Sequence, residues 1–422
     1  MPLVASSGAM SARVFGLSSA GGASYWIATL GGANTDIGNG IAVDSSGNIH
    51  VVGDTDSAGT GSSDILIAKY DTLGAVSWQR VLGAVTADEG YGISLDSSGG
   101  VYITGIQNAN SGSSDITIAK YTALGAYSWQ RRLSGVNSDT GRGIAVTTGG
   151  DVFVVGSENN TTNIFIAKYN TSGTFAWAKS LNNTGGTDIG YGVSVDSSGN
   201  AYLVGQSINA ALIAKYDTSG TVLWQNTLSG SGSNDFRAIA VDASGNACVT
   251  GARSGGSLLV ARWLAAGTLD WQGTISGVTG TGAAIDASGN CYVAGTTTSS
   301  AEAFVAKYNI SGALQWQRIL NGSSSDFGYG VSVDNAGSVY VTGQTYSSGA
   351  GNADVLIFKV PDDGSLTGTY GAFTYSVSTL TATTSSLTAA GSSLVNSTSA
   401  LSDVSGALTS ATSTLTSTLT PI

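Results

Sequence analysis

The sequence predicts an all-β fold in which seven four-stranded units close into a ring, and three observations predict it. The fourteen-residue stretch GIAVDSSGNIHVVG (40–53) returns six times, with copies starting 52, 51, 49, 46, 44 and 48 residues apart. That spacing suits a unit of about four strands. Each copy is followed by a strand of the type DILIAKY (64–70), and in six units a Trp sits eight residues past the aromatic that closes it. The seventh unit stops at Pro361 without its Trp-bearing strand, while YWIATLGG (25–32) near the N-terminus matches SWQRVLGA (77–84). The N-terminal strand is therefore expected to complete the last unit, which makes the ring a seven-bladed β-propeller without open ends.

Within each unit the first strand, GIAVD, is small and apolar on both faces, as a crowded innermost strand requires. A DSSGN-type turn follows, where Asp and Asn bond nearby backbone and Gly accepts positive φ. The chain returns as NIHVVG, crosses a polar loop of variable length, and runs through the AKY strand to the Trp strand. The constant offset assigns Trp26, Trp78, Trp129, Trp177, Trp224, Trp271 and Trp316 to one packing slot between blades. The other reading of this aromatic stripe is a sugar-stacking surface. His50 and Cys248 occupy the second-strand position held elsewhere by Tyr102, Phe153, Tyr202, Tyr292 and Tyr340, and read as substitutions at a packing site.

Four segments result: an N-terminal arm (1–24), the propeller (25–360), a linker (361–372) and a tail (373–422). The tail is rich in Ser, Thr, Ala and Leu, with Asp403 its only charge. Leucine recurs every seven residues at Leu380, Leu387, Leu394, Leu401, Leu408 and Leu415. A kept heptad predicts a coiled coil, on the order of 50 Å long if helical. Because Ser and Thr are poor helix formers, such a stalk needs partner chains, and a homotrimer is expected. A low-complexity or β-structured tail is the alternative.

Composition narrows function. The 422 residues hold 61 Gly, carry a formal net charge of −11 and have a pI near 4.3, which leaves no electrostatic footprint for nucleic acid or anionic membrane. No apolar run approaches the roughly 20 residues of a membrane span, and residues 1–24 lack the pattern of a secretory signal. One His and two Cys exclude the usual zinc clusters and a His-assisted nucleophile. The DSSGN turn lacks the alternating acidic ligands of a helix-loop-helix calcium site, and the GxG strings open no helix that could receive phosphate. No cofactor is expected.

Two sets of charges repeat. Asp36, Asp88, Asp139, Asp188, Asp235 and Asp326 enter the first strand in six units. They are read either as an acidic ring at one mouth of the central channel or as carboxylates bonded to their own turns, since like charges gathered without a partner are costly. Asp44, Asp96, Asp196, Asp242, Asp286 and Asp334 are expected to pair with the Lys or Arg near the end of the third strand. Lys168 should matter least, because its unit has Thr147 in place of Asp.

The pattern G-[IV]-[AS]-V-D-x-S-G-N-x-Y-V-x-G, followed by the IAKY and WQR strands, resembles the bacterial beta-propeller repeat family and, more distantly, NHL-type repeats. The resemblance covers residues 25–360 and implies the fold but little about activity. The layout of short arm, propeller and heptad tail resembles a bacteriophage tail, baseplate or fibre protein. This implies a non-enzymatic virion component for assembly or host attachment, with itself, other virion proteins and host-surface carbohydrate as partners. A secreted or cell-surface adhesin is the alternative, and a polysaccharide-active enzyme the third. The polar loops between second and third strands, longest in units one, two and seven, offer the recognition surface.

Overall fold

The computed structural model describes residues 25–108, 113–158, 163–183, 186–385, 387–391, 395–398, 402–405, 409–412 and 416–421. The expected N-terminal arm lies outside them. Each sequence copy forms an antiparallel blade; blade 1 runs outward through Asp36–Val43, Ile49–Thr55, Asp64–Tyr70 and Val76–Gly83. In blade 7 the strands Asp326–Val333, Ser338–Thr345 and Asp354–Pro361 are followed by Trp26–Gly31, so the N-terminal strand does close the ring. Seven clusters of apolar residues, one between each pair of neighbouring blades, make up the core among the described residues.

The tryptophans act at these seams. The Trp78 indole donates to the carbonyl of Ala123 (3.2 Å), Trp129 to Thr171 (3.2 Å) and Trp224 to Ala265 (3.1 Å), each in the outer turn of the next blade. The glycine of that turn lies flat on the ring; a Cβ at Gly125, where φ is +76°, would stand 2.6 Å from Trp78. Across the ring's closure Trp26 reaches Thr72 of blade 1 at 3.4 Å. Residues 361–372 do more than link, because Trp316 donates to Asp362 and the strand Gly368–Tyr370 folds back on Phe373–Val377.

The tail departs from the expected helix. No helix occurs among the described residues, and those of the tail form strands on the outer edges of the blades. Val377 pairs with Arg318 in blade 6, Thr384 with Gly273 in blade 5, Gly391 with Asn226 in blade 4 and Thr398 with Lys179 in blade 3. Ser405 then pairs with Arg131 in blade 2, Thr412 with Arg80 in blade 1 and Leu419 with Ala28 in blade 7. Every partner stands two residues past the blade's Trp, and successive tail residues in this series are seven apart. The heptad is thus the step from one blade's rim to the next, taken against the order in which the blades were built.

Two physical facts account for strands where the heptad suggested a helix. A seven-residue period fits any structure with that advance, helical or not, whereas Thr-rich composition favours strands. An outer strand also offers a row of unpaired N–H and C=O groups, which the tail satisfies. Leu387 is buried (4% exposed) among Leu228, Phe236 and Ala211, and Leu380 packs against the seam of Ile275 and Phe304. Leu394, Leu401, Leu408 and Leu415 lie outside the described residues.

Candidate functional site

The central channel is lined by the seven innermost strands. These approach so closely that a Cβ on Gly92 would stand 2.7 Å from the carbonyl oxygen of Arg142 in the next blade. In every blade the first strand carries a bulge, marked by a register shift between residues such as Gly38 and Gly40 or Gly141 and Gly143. A bulge leaves one residue out of the ladder and re-aims its side chain. The bulged residues are Asn39, Tyr91, Arg142, Tyr191, Arg237, Thr281 and Tyr329. Six of them, all but Tyr91, line a cavity of about 150 Å³. A second cavity of about 340 Å³ continues the channel between small residues such as Ala42, Ser94, Ser194 and Ala240. Ile41, Ile93, Ile239, Ala283 and Val331 border both, as an aliphatic collar.

The polar chamber is asymmetric. On blades 1 and 2, Asn39 donates its amide to Asp54 (2.7 Å) and the Tyr91 hydroxyl donates to Glu89 in a short bond. Burial, with the Glu89 charge adding, pushes the Asp54 carboxyl up to about 7. On blade 3 the Arg142 guanidinium stands over the Tyr191 ring (5.3 Å to its centroid) and donates to Ser157 Oγ at 3.1 Å. On blade 5 Arg237 is engaged by both oxygens of Asp235 at 3.1 Å. On blade 7 Tyr329 donates to Gln344 (3.2 Å), with its ring stacked on Phe327. Burial pushes Tyr329 up to about 12 and raises Tyr191, so both keep their hydroxyl protons at neutral pH. The lining can hold a small polar ligand between hydroxyls, an amide, aromatic faces and two guanidinium groups.

The six aspartates expected to ring a mouth fall into two groups. Asp36, Asp88, Asp139, Asp188 and Asp326 are buried, and each accepts from a backbone N–H four or five residues back, as Asp36 does from Gly32 at 2.8 Å and Asp139 from Gly135 at 2.7 Å. They tie their own turns. Asp235 is different, because in blade 5 the ring position belongs to Asn234, which pairs with Arg253 as Asp36 pairs with Thr55. Asp235 is one residue further on, and in a strand one residue reverses the face. That puts its carboxylate on Arg237 beside the channel.

The second charged set pairs within blades in Lys69–Asp44 (3.5 Å), Lys120–Asp96 (3.5 Å), Lys215–Asp196 (3.1 Å) and Arg262–Asp242 (3.8 Å). Each Asp also ties its turn, as Asp44 Oδ1 does by accepting from the N–H of Ser46 and of Asn48, both at 2.9 Å. Two expectations need correction. Lys307 pairs with Asp362 of the following blade's outer turn (3.1 Å), and Lys168, expected to lack a partner, reaches Asp151 at 2.8 Å. Thr147 is replaced as the anion by a carboxylate four residues on.

Sequence reasoning missed the bulged residues. The available signal was variation inside a repeated frame: the position before the Gly of GIAV reads Asn, Tyr, Arg, Tyr, Arg, Thr, Tyr through the seven copies, while its neighbours hardly change.

Three stretches, 26–59, 176–211 and 315–349, match the family described as Beta-propeller repeat. No curated protein matches the chain. Among solved structures, a protein of unknown function from Bacteroides caccae is 16% identical over 53% of this chain and 78% of its own, with a TM-score of 0.41. Hydrazine synthase of Kuenenia stuttgartiensis is 12% identical, covering 71% and 96%, with a TM-score of 0.47. A Lactobacillus plantarum protein is 10% identical, covering 79% and 99%, again at 0.47. Likenesses of this degree carry nothing about activity.

Proposed function

We propose that this chain is a non-enzymatic recognition protein that binds a polar ligand at the bulged end of its channel. We place it in a bacteriophage virion for host attachment, with a bacterial cell-surface or secreted adhesin as the alternative setting. The observation that carries the reading is the set of seven bulges, which present chemically different side chains from an otherwise uniform frame. Tyrosines beside hydrogen-bonding groups suit a carbohydrate, whose rings offer apolar faces and hydroxyl edges together. The tail's described strands pair with the chain's own blades, which favours a single-chain particle over the trimeric stalk.

The test is binding of the purified full chain to host cells and to their extracted surface polysaccharide. Loss of binding in Tyr191→Ala and Tyr329→Ala, with retention when the outer-rim residue Leu223 is changed, supports the reading; unchanged binding in both Tyr variants rejects it. Copurification with particles separates a virion from an adhesin setting. A second reading, a polysaccharide-active enzyme, is favoured by the carboxyl of Asp54, which burial and the nearby Glu89 charge push up to about 7. It predicts shortening of polysaccharide chains that disappears in Asp54→Asn.

A further inference from the structure

Two arginines line the polar chamber, and they are not equivalent. Arg237 has both oxygens of Asp235 on its guanidinium, at 3.1 Å each. Arg142 has no carboxylate within 4.0 Å among the described residues; its polar contact is the Ser157 hydroxyl, and its guanidinium carbon stands over Tyr191, 5.3 Å from the ring centroid. A guanidinium carries five N–H donors in a fixed fork that matches the two oxygens of a carboxylate. A cation over an aromatic face is attracted to it without using its N–H donors. Arg142 is therefore held in position with most of its donors uncommitted, at the wall of a chamber from which other cations are absent or already neutralised.

The chamber's size and remaining lining restrict what can meet those donors. A protein cavity near 150 Å³ holds a six-membered ring, and the chamber has about that volume. Tyr191, Thr281, Tyr329 and Asn39 supply neutral hydroxyl and amide groups around it. The carboxyls of Asp54 and Glu89, on blades 1 and 2, do not line the chamber; they accept hydrogen bonds from Asn39 and Tyr91. In a ring of seven, blades 6 and 7 stand opposite blade 3, so Thr281 and Tyr329 lie across the chamber from Arg142, and the two sides orient a ligand with acid at one end and hydroxyls at the other. An uncharged sugar would leave the guanidinium unmatched, and a multiply charged anion would find one uncommitted cation, since the chamber's other arginine is held by Asp235.

We infer that the chamber binds a hexuronate, a single six-membered sugar ring whose carboxylate docks on Arg142 and whose hydroxyls face blades 1, 6 and 7. The inference rests on the recognition reading above and names its ligand class. The acid is either free or the end residue of an acidic surface glycan.

The experiment is calorimetric titration of the full chain with sodium glucuronate, sodium galacturonate, glucose, and an oligogalacturonate of about four residues. At least one uronate probe binds and glucose binds at least tenfold more weakly. Arg142→Gln lowers uronate affinity tenfold or more, Arg142→Lys loses less, and Arg237→Gln changes affinity less than Arg142→Gln does. Unchanged melting temperatures for these variants show that the ring is intact. Tight binding of the oligomer without the monomers assigns the source to a glycan end; equal binding of both assigns it to the free acid. Equal affinity for glucose and glucuronate, no binding of any uronate, or full affinity in folded Arg142→Gln overturns the inference. Cell binding that glucuronate does not compete and Arg142→Gln does not weaken, yet Tyr191→Ala abolishes, rejects the hexuronate while leaving recognition standing.

Discussion

The side-chain amide of Gln272 donates to the backbone carbonyl of Leu387 at 2.7 Å, across 115 residues of sequence. One blade earlier along the tail, Gln317 does the same for Leu380 at 2.6 Å. In blades 5 and 6 the Gln that follows the Trp therefore receives the tail where it passes between blades. Side chain and backbone cooperate here, because the leucine whose carbonyl is held is also the one buried in the seam.

Truncation at Leu387 tests this directly. Leu387→Ala removes a buried side chain worth about 2 kcal/mol, roughly a 30-fold effect on local opening. The amides of 382–391 are expected to exchange faster by about that factor, while those of the innermost strands keep their protection. Uniform loss of protection throughout the ring, or a change in solution mass instead of in exchange, would contradict the belt.

Removing the whole tail is the complementary experiment. The full protein and a chain ending at Gly371 are both expected to have the mass of one chain, and the shorter one to melt at lower temperature and aggregate on heating. Seven outer strands would then present unpaired edges. A full-length trimer that falls to a monomer on truncation would restore the stalk.

His50 makes stability depend on acid. It is fully buried 3.5 Å from Asp44, and burial, with Lys69 adding, pushes it down to about 4. The unfolded chain takes up a proton near pH 6.5 that the folded chain refuses until about pH 4, so this position loses stability as pH falls through that window. The full shift corresponds to about 3 kcal/mol. His50→Tyr restores the residue of blades 2, 4, 6 and 7, whose hydroxyls reach the turn Asp, as Tyr340 does to Asp334 at 2.9 Å. Melting curves should show the variant gaining more at pH 5 than at pH 8.

Asp54 acts with the opposite sign. Its folded value of about 7 lies above its ordinary 3.8, so it lowers stability progressively as pH rises from about 4 to 7, and the loss is complete above that. Asp54→Asn keeps a carbonyl oxygen for Asn39 and is expected to stabilise the ring by about 2 kcal/mol at pH 8 and by little at pH 3.5. A stabilisation independent of pH would remove the buried proton from the account.

The revised pairing of Lys168 gives a comparison within one protein. With Asp151 at 2.8 Å and the Thr218 carbonyl at 3.2 Å, Lys168 is as well engaged as Lys120. Lys168→Ala and Lys120→Ala should each cost roughly 0–1 kcal/mol in urea unfolding. A clear excess for Lys120 would show that Asp151, being half exposed, does not replace the missing turn carboxylate.

What the sequence determined by itself was everything the repeat enforces locally. Seven copies, a Trp at constant offset and a displaced N-terminal strand settle blade number and ring closure, because each rests on contacts that recur identically from unit to unit. The tertiary structure decided what depends on where units meet. Leu380 and Leu387 look like a helical seam until the rims of the blades, seven tail residues apart, are present to receive them. Asp235 looks like a member of an aspartate ring until its register places it one residue nearer the channel, on Arg237. Arg142 stands at an unremarkable sequence position, and only the convergence of seven bulged strands brings it, Tyr191 and Tyr329 around one chamber. Periodicity records how a chain relates to its own next unit; it carries no distance between units far apart in sequence, and the site is built from those distances.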